Sequence, residues 1–198
     1  MDLYRSKAGI VGGLQPVVSR LAARGVSPDA VTLAAIPVGV VAAACLLLSP
    51  DVPVLLLVVP LLAAMRLVLN LLDGALARQS GRIHPRGEFY NEVGDRLTDV
   101  AFLVPVAFLP GAHQASVLLG VIAALLASYA GLSSRAAGGE RIYRGILSKP
   151  GRMALLAVCA VAAFAFGPRA WEVFGPLLAV GGVLTLAERL LVAVRNLE

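Results

Sequence analysis

NLLDGALARQSGRIHPRGEFYNEVGDRLTD, residues 70–99, is the polar interruption of a chain that is otherwise apolar. Of the 198 residues, 59% are hydrophobic and 15% charged, and the mean hydropathy is +0.85. A soluble domain carries about 25% charged residues, so water is excluded as the solvent for most of this surface. Ionisable groups inside apolar segments are costly and default to paired or functional roles. The spacing of Asn70, Asp73, Asn91, Asp95 and Asp99 therefore bears on both the fold and the site.

Outward from this stretch, six apolar segments can be marked, at 30–49, 52–77, 88–109, 115–133, 152–168 and 172–194. Each approaches the roughly 20 residues that a helix needs to cross a bilayer core. In lipid every backbone polar group needs an internal partner, which selects helices over open strands. Ser27 followed by Pro28 is a helix-start signal. Ser49-Pro50-Asp51, Pro110-Gly111 and Gly167-Pro168 are turns. The expectation is an all-α fold: a bundle of six transmembrane helices, residues 28–198, preceded by an N-terminal interfacial helix within residues 1–27. In that segment Leu14, Val17, Val18 and Leu21 share one face suited to a membrane surface. With Asp2, Arg5, Lys7, Arg20 and Arg24 it lacks the apolar centre of a cleavable signal peptide. Cys45 and Cys159 sit in apolar runs and are expected as small buried hydrophobes.

A net charge of +5 and a pI near 9.8 would suggest nucleic acid in a soluble protein. Here the placement of the charges points to topology instead, and no nucleic-acid partner is expected. Basic residues gather in cytoplasmic loops. They lie in the N-terminal segment, at Arg78, Arg82 and Arg86, between Arg135 and Arg152, and at Arg189 and Arg195; the opposite loops hold only Arg169. Both termini are thus expected in the cytoplasm. Trp171 is expected as an aromatic anchor at the far interface.

Within 70–99, helical periodicity puts Asn70, Asp73 and Ala77 on one face and Gly74 with Arg78. Gly87, Asn91, Asp95 and Asp99 recur every four residues, forming one stripe. At about 1.5 Å per residue, Asp73 lies about 7.5 Å inward of Arg78 and Asn70 about 12 Å. On the next segment Asn91 lies about 6 Å inward of Gly87 and Asp95 about 12 Å. Two antiparallel helices would therefore bring oxygen donors to matching depths. Such donors suit a hard cation, Mg²⁺ or Mn²⁺, which would hold a diphosphate. By the same count, Arg66 and Asp99 each lie about 18 Å deep. An unpaired arginine there is expensive, so Arg66 and Asp99 are expected to pair or to share a cluster with Asn70 and Asp95.

The pattern Asn70-x2-Asp73-Gly74-x2-Ala77-Arg78-x8-Gly87-x3-Asn91-x3-Asp95 resembles the signature of the CDP-alcohol phosphatidyltransferase family, D-x2-D-G-x2-A-R-x8-G-x3-D-x3-D. Six of the eight positions match with the spacing intact, and Ser27-Pro28…Thr32 also looks like the family. The resemblance implies a six-helix membrane enzyme, usually dimeric, with its site open to the cytoplasm. It implies metal binding by Asp73 and Asp95, with Asn70 and Asn91 at the other two metal positions. It further implies a CDP site at Gly74, Ala77, Arg78 and Gly87, and Asp95 as the base that activates an alcohol, with Arg78 steadying charge. The departures are Asn70 and Asn91, where the signature has aspartate. Each removes a negative charge, so one ion is expected rather than two. The Asn pair resembles a bacterial subset of the family and implies the inner membrane.

The expected reaction moves a phosphatidyl group from CDP-diacylglycerol to an unidentified alcohol, releasing CMP. Two alternatives stay open: transfer of a headgroup from a CDP-alcohol to a lipid hydroxyl, and a catalytically silent nucleotide- or lipid-binding protein of the same fold. Arg135, Lys149 and Arg152 have two readings, as topology signals in contact with membrane lipids or as a pocket for an acceptor phosphate. Glu88 and Glu92 flank the site, Glu92 as a candidate extra ligand. Ser128 and Tyr129 face either the cavity or a helix contact. His84 is expected in a loop. Small residues along the spans favour close helix packing and a homodimer.

Overall fold

The computed structural model describes residues 3–82 and 84–197, with side chains from Gly13 onward. Of the N-terminal segment, Asp2 and the side chains of Arg5 and Lys7 lie outside the described residues. Seven helices and no strand occur among those described: α1 Leu3–Ala23, α2 Pro28–Leu48, α3 Val58–Ser80, α4 Pro85–Leu103, α5 Gln114–Ala136, α6 Lys149–Phe166 and α7 Phe174–Leu197. Short 3-10 turns at Pro53–Leu57, Val104–Phe108 and Pro168–Trp171 complete the far ends of α3, α4 and α7.

Local chemistry sets several of these boundaries. The Ser27 hydroxyl accepts the Ala30 N–H at 3.1 Å and Pro28 opens α2, an N-cap with its preset φ. α3 ends where Gly81 takes a φ of 64° and the Arg82 N–H returns to the Ala77 carbonyl at 3.2 Å; only glycine adopts that conformation without strain. His84, expected in a loop, caps α4 instead: its Nδ1 accepts the Gly87 N–H at 3.0 Å.

Among the described residues, five spans are long and apolar enough to cross a membrane: Pro28–Leu48, Pro53–Ser80, Gln114–Ala136, Lys149–Phe166 and Pro168–Leu197. The protein is thus a multi-pass membrane protein. The expected sixth span, 88–109, differs. α4 carries Arg86, Glu88, Glu92, Asp95, Arg96 and Asp99, so its composition is not that of a lipid-facing helix. Its apolar continuation leaves the α-helix at Val104–Phe108, around Pro105, which has no N–H to offer. Gly94, Thr98, Asp99 and Phe102 of α4 are buried in the bundle.

α5 and α7 pack closely along their length because glycines meet glycines and alanines. A Cβ on Gly120 would lie 2.6 Å from Cγ of Leu178, and one on Gly182 would lie 3.2 Å from the Gly120 carbonyl oxygen. Such small-residue contacts let backbones approach where lipid supplies no hydrophobic drive. The apolar core, with Leu46, Val59, Phe102, Leu156, Phe174 and Leu178, occupies the half of the bundle away from the α3–α4 turn. Trp171 belongs to this core. It is 2% exposed and meets Phe174 edge to face at 5.9 Å, so it is not the interface anchor expected from sequence. The Pro168–Trp171 turn folds the ring inward. Cys45 and Cys159 are buried and unbridged.

α1 lies against α2 and α3. Val18 is completely buried beside Val31, Leu72 and Leu76, with Leu14 and Leu21 partly covered. Val17, expected on the same face, is exposed at 40%. Gln79 of α3 donates to Ser19 at 3.3 Å and accepts from Gln15 at 3.2 Å.

Candidate functional site

α4 bears acids at 88, 92, 95 and 99, and each meets a base from elsewhere in the chain. At the deepest level Asp99 accepts Nη2 of Arg152 at 2.7 Å and lies 3.5 Å from Nη2 of Arg66. One turn outward, Oδ1 of Asp95 accepts Arg66 Nη2 at 2.9 Å, and Oδ2 accepts the Lys149 ammonium. Further out, Glu92 accepts Arg96 at 2.7 Å and also Arg141; Glu88 accepts Arg135 at the surface. Burial without such partners would be prohibitive. The ladder lets α4 sit in the bundle with three enclosed carboxylates, Glu92, Asp95 and Asp99, and a fourth, Glu88, at the surface.

α3 supplies the opposite face. Nδ2 of Asn70 lies 3.5 Å from Oδ1 of Asp95, and the Lys149 ammonium lies 3.5 Å from Oδ1 of Asn70. Asn70, Asp95, Lys149 and Arg66 therefore converge from three helices. The site is partly open here, with the Asp95 side chain 13% exposed and Lys149 18%. One turn nearer the α3–α4 loop, Asp73 is buried. It accepts the Thr32 hydroxyl of α2 at 2.9 Å and the Gly74 N–H at 2.5 Å. Asn91 lies one turn before Asp95 on the same face of α4. Its Oδ1 is buried and has no hydrogen-bond partner among the described residues. A buried acceptor left empty costs about 1–3 kcal/mol, so something is expected to bind there.

That orphan oxygen tests whether the residues fit a divalent ion. Among the described residues no three His, Cys, Asp or Glu side chains form a metal-binding group. The oxygen set is instead one carboxylate at Asp73 and two carboxamides at Asn70 and Asn91, with the Asp95 carboxylate beside them. Hard cations take carboxylate and amide carbonyl oxygens alike, and an unpartnered Asn91 Oδ1 fits that use.

The residues expected to line a nucleotide lie around this level. Arg78 is exposed, folds back over Gly74, where a Cβ would lie 3.4 Å from its Nη1, and has no acidic partner among the described residues. Gly87 makes room for Asp29 of α2: a Cβ there would stand 2.9 Å from Oδ1 of Asp29. Arg135, Lys149 and Arg152 do not gather into one pocket. Arg135 is with Glu88 at the surface, Arg152 is buried on Asp99 and the Leu147 carbonyl, and only Lys149 reaches Asp95. Ser128 donates to the Ala124 carbonyl at 3.0 Å, and with Tyr129 it lines an apolar groove between α4 and α5 beside Glu92 and Arg96.

Arg189 is a residue that sequence reasoning read only as a topology charge. It is buried in α7 and donates three hydrogen bonds of 2.8 Å, to the carbonyls of Ala127, Tyr143 and Arg144. It thereby pins the connection that carries Lys149 toward the site. A signal was available: it lies more than one turn inside the last apolar segment rather than at its flank.

The chain and its fold have counterparts among known proteins. The chain is 32% identical over 152 residues to inner membrane protein YnbA of Escherichia coli (strain K12), covering 77% of this chain and 75% of that protein. It is 31% identical over 156 residues to archaetidylinositol phosphate synthase of Aeropyrum pernix, covering 76% of each. Its fold matches that of the Mycobacterium tuberculosis phosphatidylinositol phosphate synthase with CDP-DAG bound, with a TM-score of 0.74 and 26% identity over 90% of this chain and 92% of that one. The same enzyme in complex with manganese and citrate gives 0.74 and 25%, over 90% and 88%. The family model for CDP-alcohol phosphatidyltransferase matches residues 25–189, and the chain belongs to that family.

Proposed function

We propose that the protein transfers a phosphatidyl group from CDP-diacylglycerol to an alcohol and releases CMP. The observation that supports this reading is the approach of Asn70 on α3 to Asp95 on α4 at 3.5 Å, with a buried, unpartnered Asn91 oxygen one turn away on α4. Asp73, Asn70 and Asn91, with Asp95 at the edge, would hold a single Mg²⁺ or Mn²⁺. A bound ion of this kind offsets charge that builds on a diphosphate.

The chain's own groups divide the remaining work. Gly74, Ala77 and Gly87 keep the wall low beside the nucleotide, and Arg78, without an acidic partner among the described residues, supplies a guanidinium to its phosphates. The acceptor oxygen attacks the phosphorus joined to the lipid. The bond from that phosphorus to the bridging oxygen breaks, and CMP leaves with that oxygen. Asp95 takes the acceptor's proton at Oδ2, the oxygen that Lys149 holds in the resting arrangement. Lys149 turns to the phosphate as the hydroxyl arrives. Catalysis is then chiefly positioning and electrostatics. The site would lie at the cytoplasmic end of the bundle, with both termini in the cytoplasm, as the distribution of arginines suggests; a bacterial inner membrane is part of the same reading. A homodimer is part of the same proposal.

One observation favours a second reading, a silent nucleotide- or lipid-binding protein: both oxygens of Asp95 are engaged by cations. The discriminating experiment supplies purified protein with Mn²⁺, labelled CDP-diacylglycerol and a panel of polyols, polyol phosphates and lipid alcohols. Release of CMP with one acceptor supports the transferase. Binding of CDP-diacylglycerol with no CMP release from any acceptor supports the silent protein. Release from a CDP-alcohol with a lipid hydroxyl instead would reassign the direction of transfer.

A further inference from the structure

The Lys149 ammonium bridges the first and last positions of the signature. It pairs with Oδ2 of Asp95 on α4 and lies 3.5 Å from Oδ1 of Asn70 on α3, although it comes from a third helix, α6. Its side chain is largely enclosed, at 18% exposure. Around it, the carboxylates of Asp95 and Asp99 pair with Arg66, Lys149 and Arg152, and Nη1 of Arg96 lies 3.9 Å from Asp95. Cations already outnumber the carboxylates they meet. Aspartate at 70 and 91, as in the signature, would add two negative charges, the charge that one further divalent ion offsets.

We infer that Lys149 serves as a built-in cation in the place of a second metal ion, so that this chain binds one divalent ion and carries the other positive centre covalently. The inference rests on the proposed transferase reading and deepens it. Three observations support it independently of activity. The ammonium contacts the oxygen donors that a second ion would need. The neighbouring asparagines remove the charge that such an ion would balance. Arg66, wholly buried, supports Asp95 from behind and is not free to move. An ammonium on a four-carbon stem, by contrast, can follow a phosphate through the reaction.

The test counts Mn²⁺ bound per chain, by calorimetry and by electron paramagnetic resonance, which registers two ions held a few ångströms apart through their spin coupling. The wild type is expected to take one ion. The N70D/N91D variant, with Lys149 present, is expected to remain at one. N70D/N91D/K149M is expected to take two, with a spin-coupled signal, whereas N70D/N91D/K149R, which keeps a cation, is expected to return to one. Two ions in N70D/N91D, or in the arginine variant, would overturn the inference. So would a single ion in N70D/N91D/K149M whose unfolding midpoint matches that of the wild type. Should K149M variants fail to fold, the N70D/N91D and arginine counts still decide. A wild type that binds no Mn²⁺ and releases no CMP defeats the transferase reading itself, a result distinct from a wrong count in the variants.

Discussion

Nη2 of Arg66, a side chain with no solvent exposure, lies 2.9 Å from Oδ1 of Asp95, the last residue of the family signature. The pair ties a structural charge in the middle of α3 to the group proposed as the base. It also places Asp99 within 3.5 Å of the same nitrogen, so one arginine serves two carboxylates a turn apart. Removing it leaves Asp95 with Lys149 and Asp99 with Arg152 as their remaining buried cations. For Arg66→Met we expect a loss of about 3–5 kcal/mol, the range for breaking a buried pair from one side. Thermal unfolding in detergent measures this; an unchanged midpoint would contradict the pairing.

Arg78 should behave oppositely. It is exposed and has no acidic partner among the described residues. Arg78→Ala is expected to move stability by no more than about 0.5 kcal/mol, as for an isolated surface change. CMP release should nevertheless fall at least about tenfold, the cost of losing one charge-assisted contact to a phosphate. A stable variant with wild-type kinetics would remove Arg78 from the nucleotide site.

Arg189 makes a third case. Its three hydrogen bonds of 2.8 Å fasten the chain at Ala127, Tyr143 and Arg144. Arg189→Leu leaves these carbonyls without their donor and should cost about 3 kcal/mol. Hydrogen exchange should quicken across residues 137–148, ahead of the rest of the bundle. Lysine cannot replace the guanidinium fork, so Arg189→Lys should recover only part of the protection. Uniform exchange in both variants would refute the pinning role.

The α5–α7 contact offers a test that leaves the site alone. A methyl on Gly120 would meet Cγ of Leu178 at 2.6 Å and the backbone of Ala179 at 2.8 Å. Gly120→Ala should destabilise by about 1–3 kcal/mol, as overpacking generally does, with Mn²⁺ affinity unchanged. Unfolding and metal titration on the same sample measure both effects.

The helices of this fold were largely legible because punctuation marks them. Ser27-Pro28 announces α2, and Gly81 closes α3. Periodicity of four along Gly87, Asn91, Asp95 and Asp99 gave one face of α4, and counting depth brought Arg66 level with Asp99. What the sequence hid was partnership between helices far apart in the chain. The apolar run starts at Arg152 and leaves Lys149 in the preceding connection; Ser148 and Pro150 mark an earlier start, and α6 begins at Lys149. That shift is what aims the ammonium at Asp95. Arg135 and Arg141 looked like free loop charges because nothing local reveals that Glu88 and Glu92 lie across from them. Periodicity tells which face a residue occupies, not which helix faces it. Trp171 illustrates the same gap: position near a span end suggested an interface, whereas a 3-10 turn buries it.

The central claim is that oxygen donors of α3 and α4 hold a divalent ion on the diphosphate of a CDP-linked lipid. It is tested most directly by the rate of CMP release from CDP-diacylglycerol, with and without Mn²⁺, for the wild type, Asp73→Asn and Asp95→Asn. The account predicts release that stops when the metal is chelated and falls at least about 100-fold in each variant, the scale of losing a general base or the charge stabilisation of a metal. Release that persists in chelator, or proceeds unimpaired in Asp73→Asn, would contradict it.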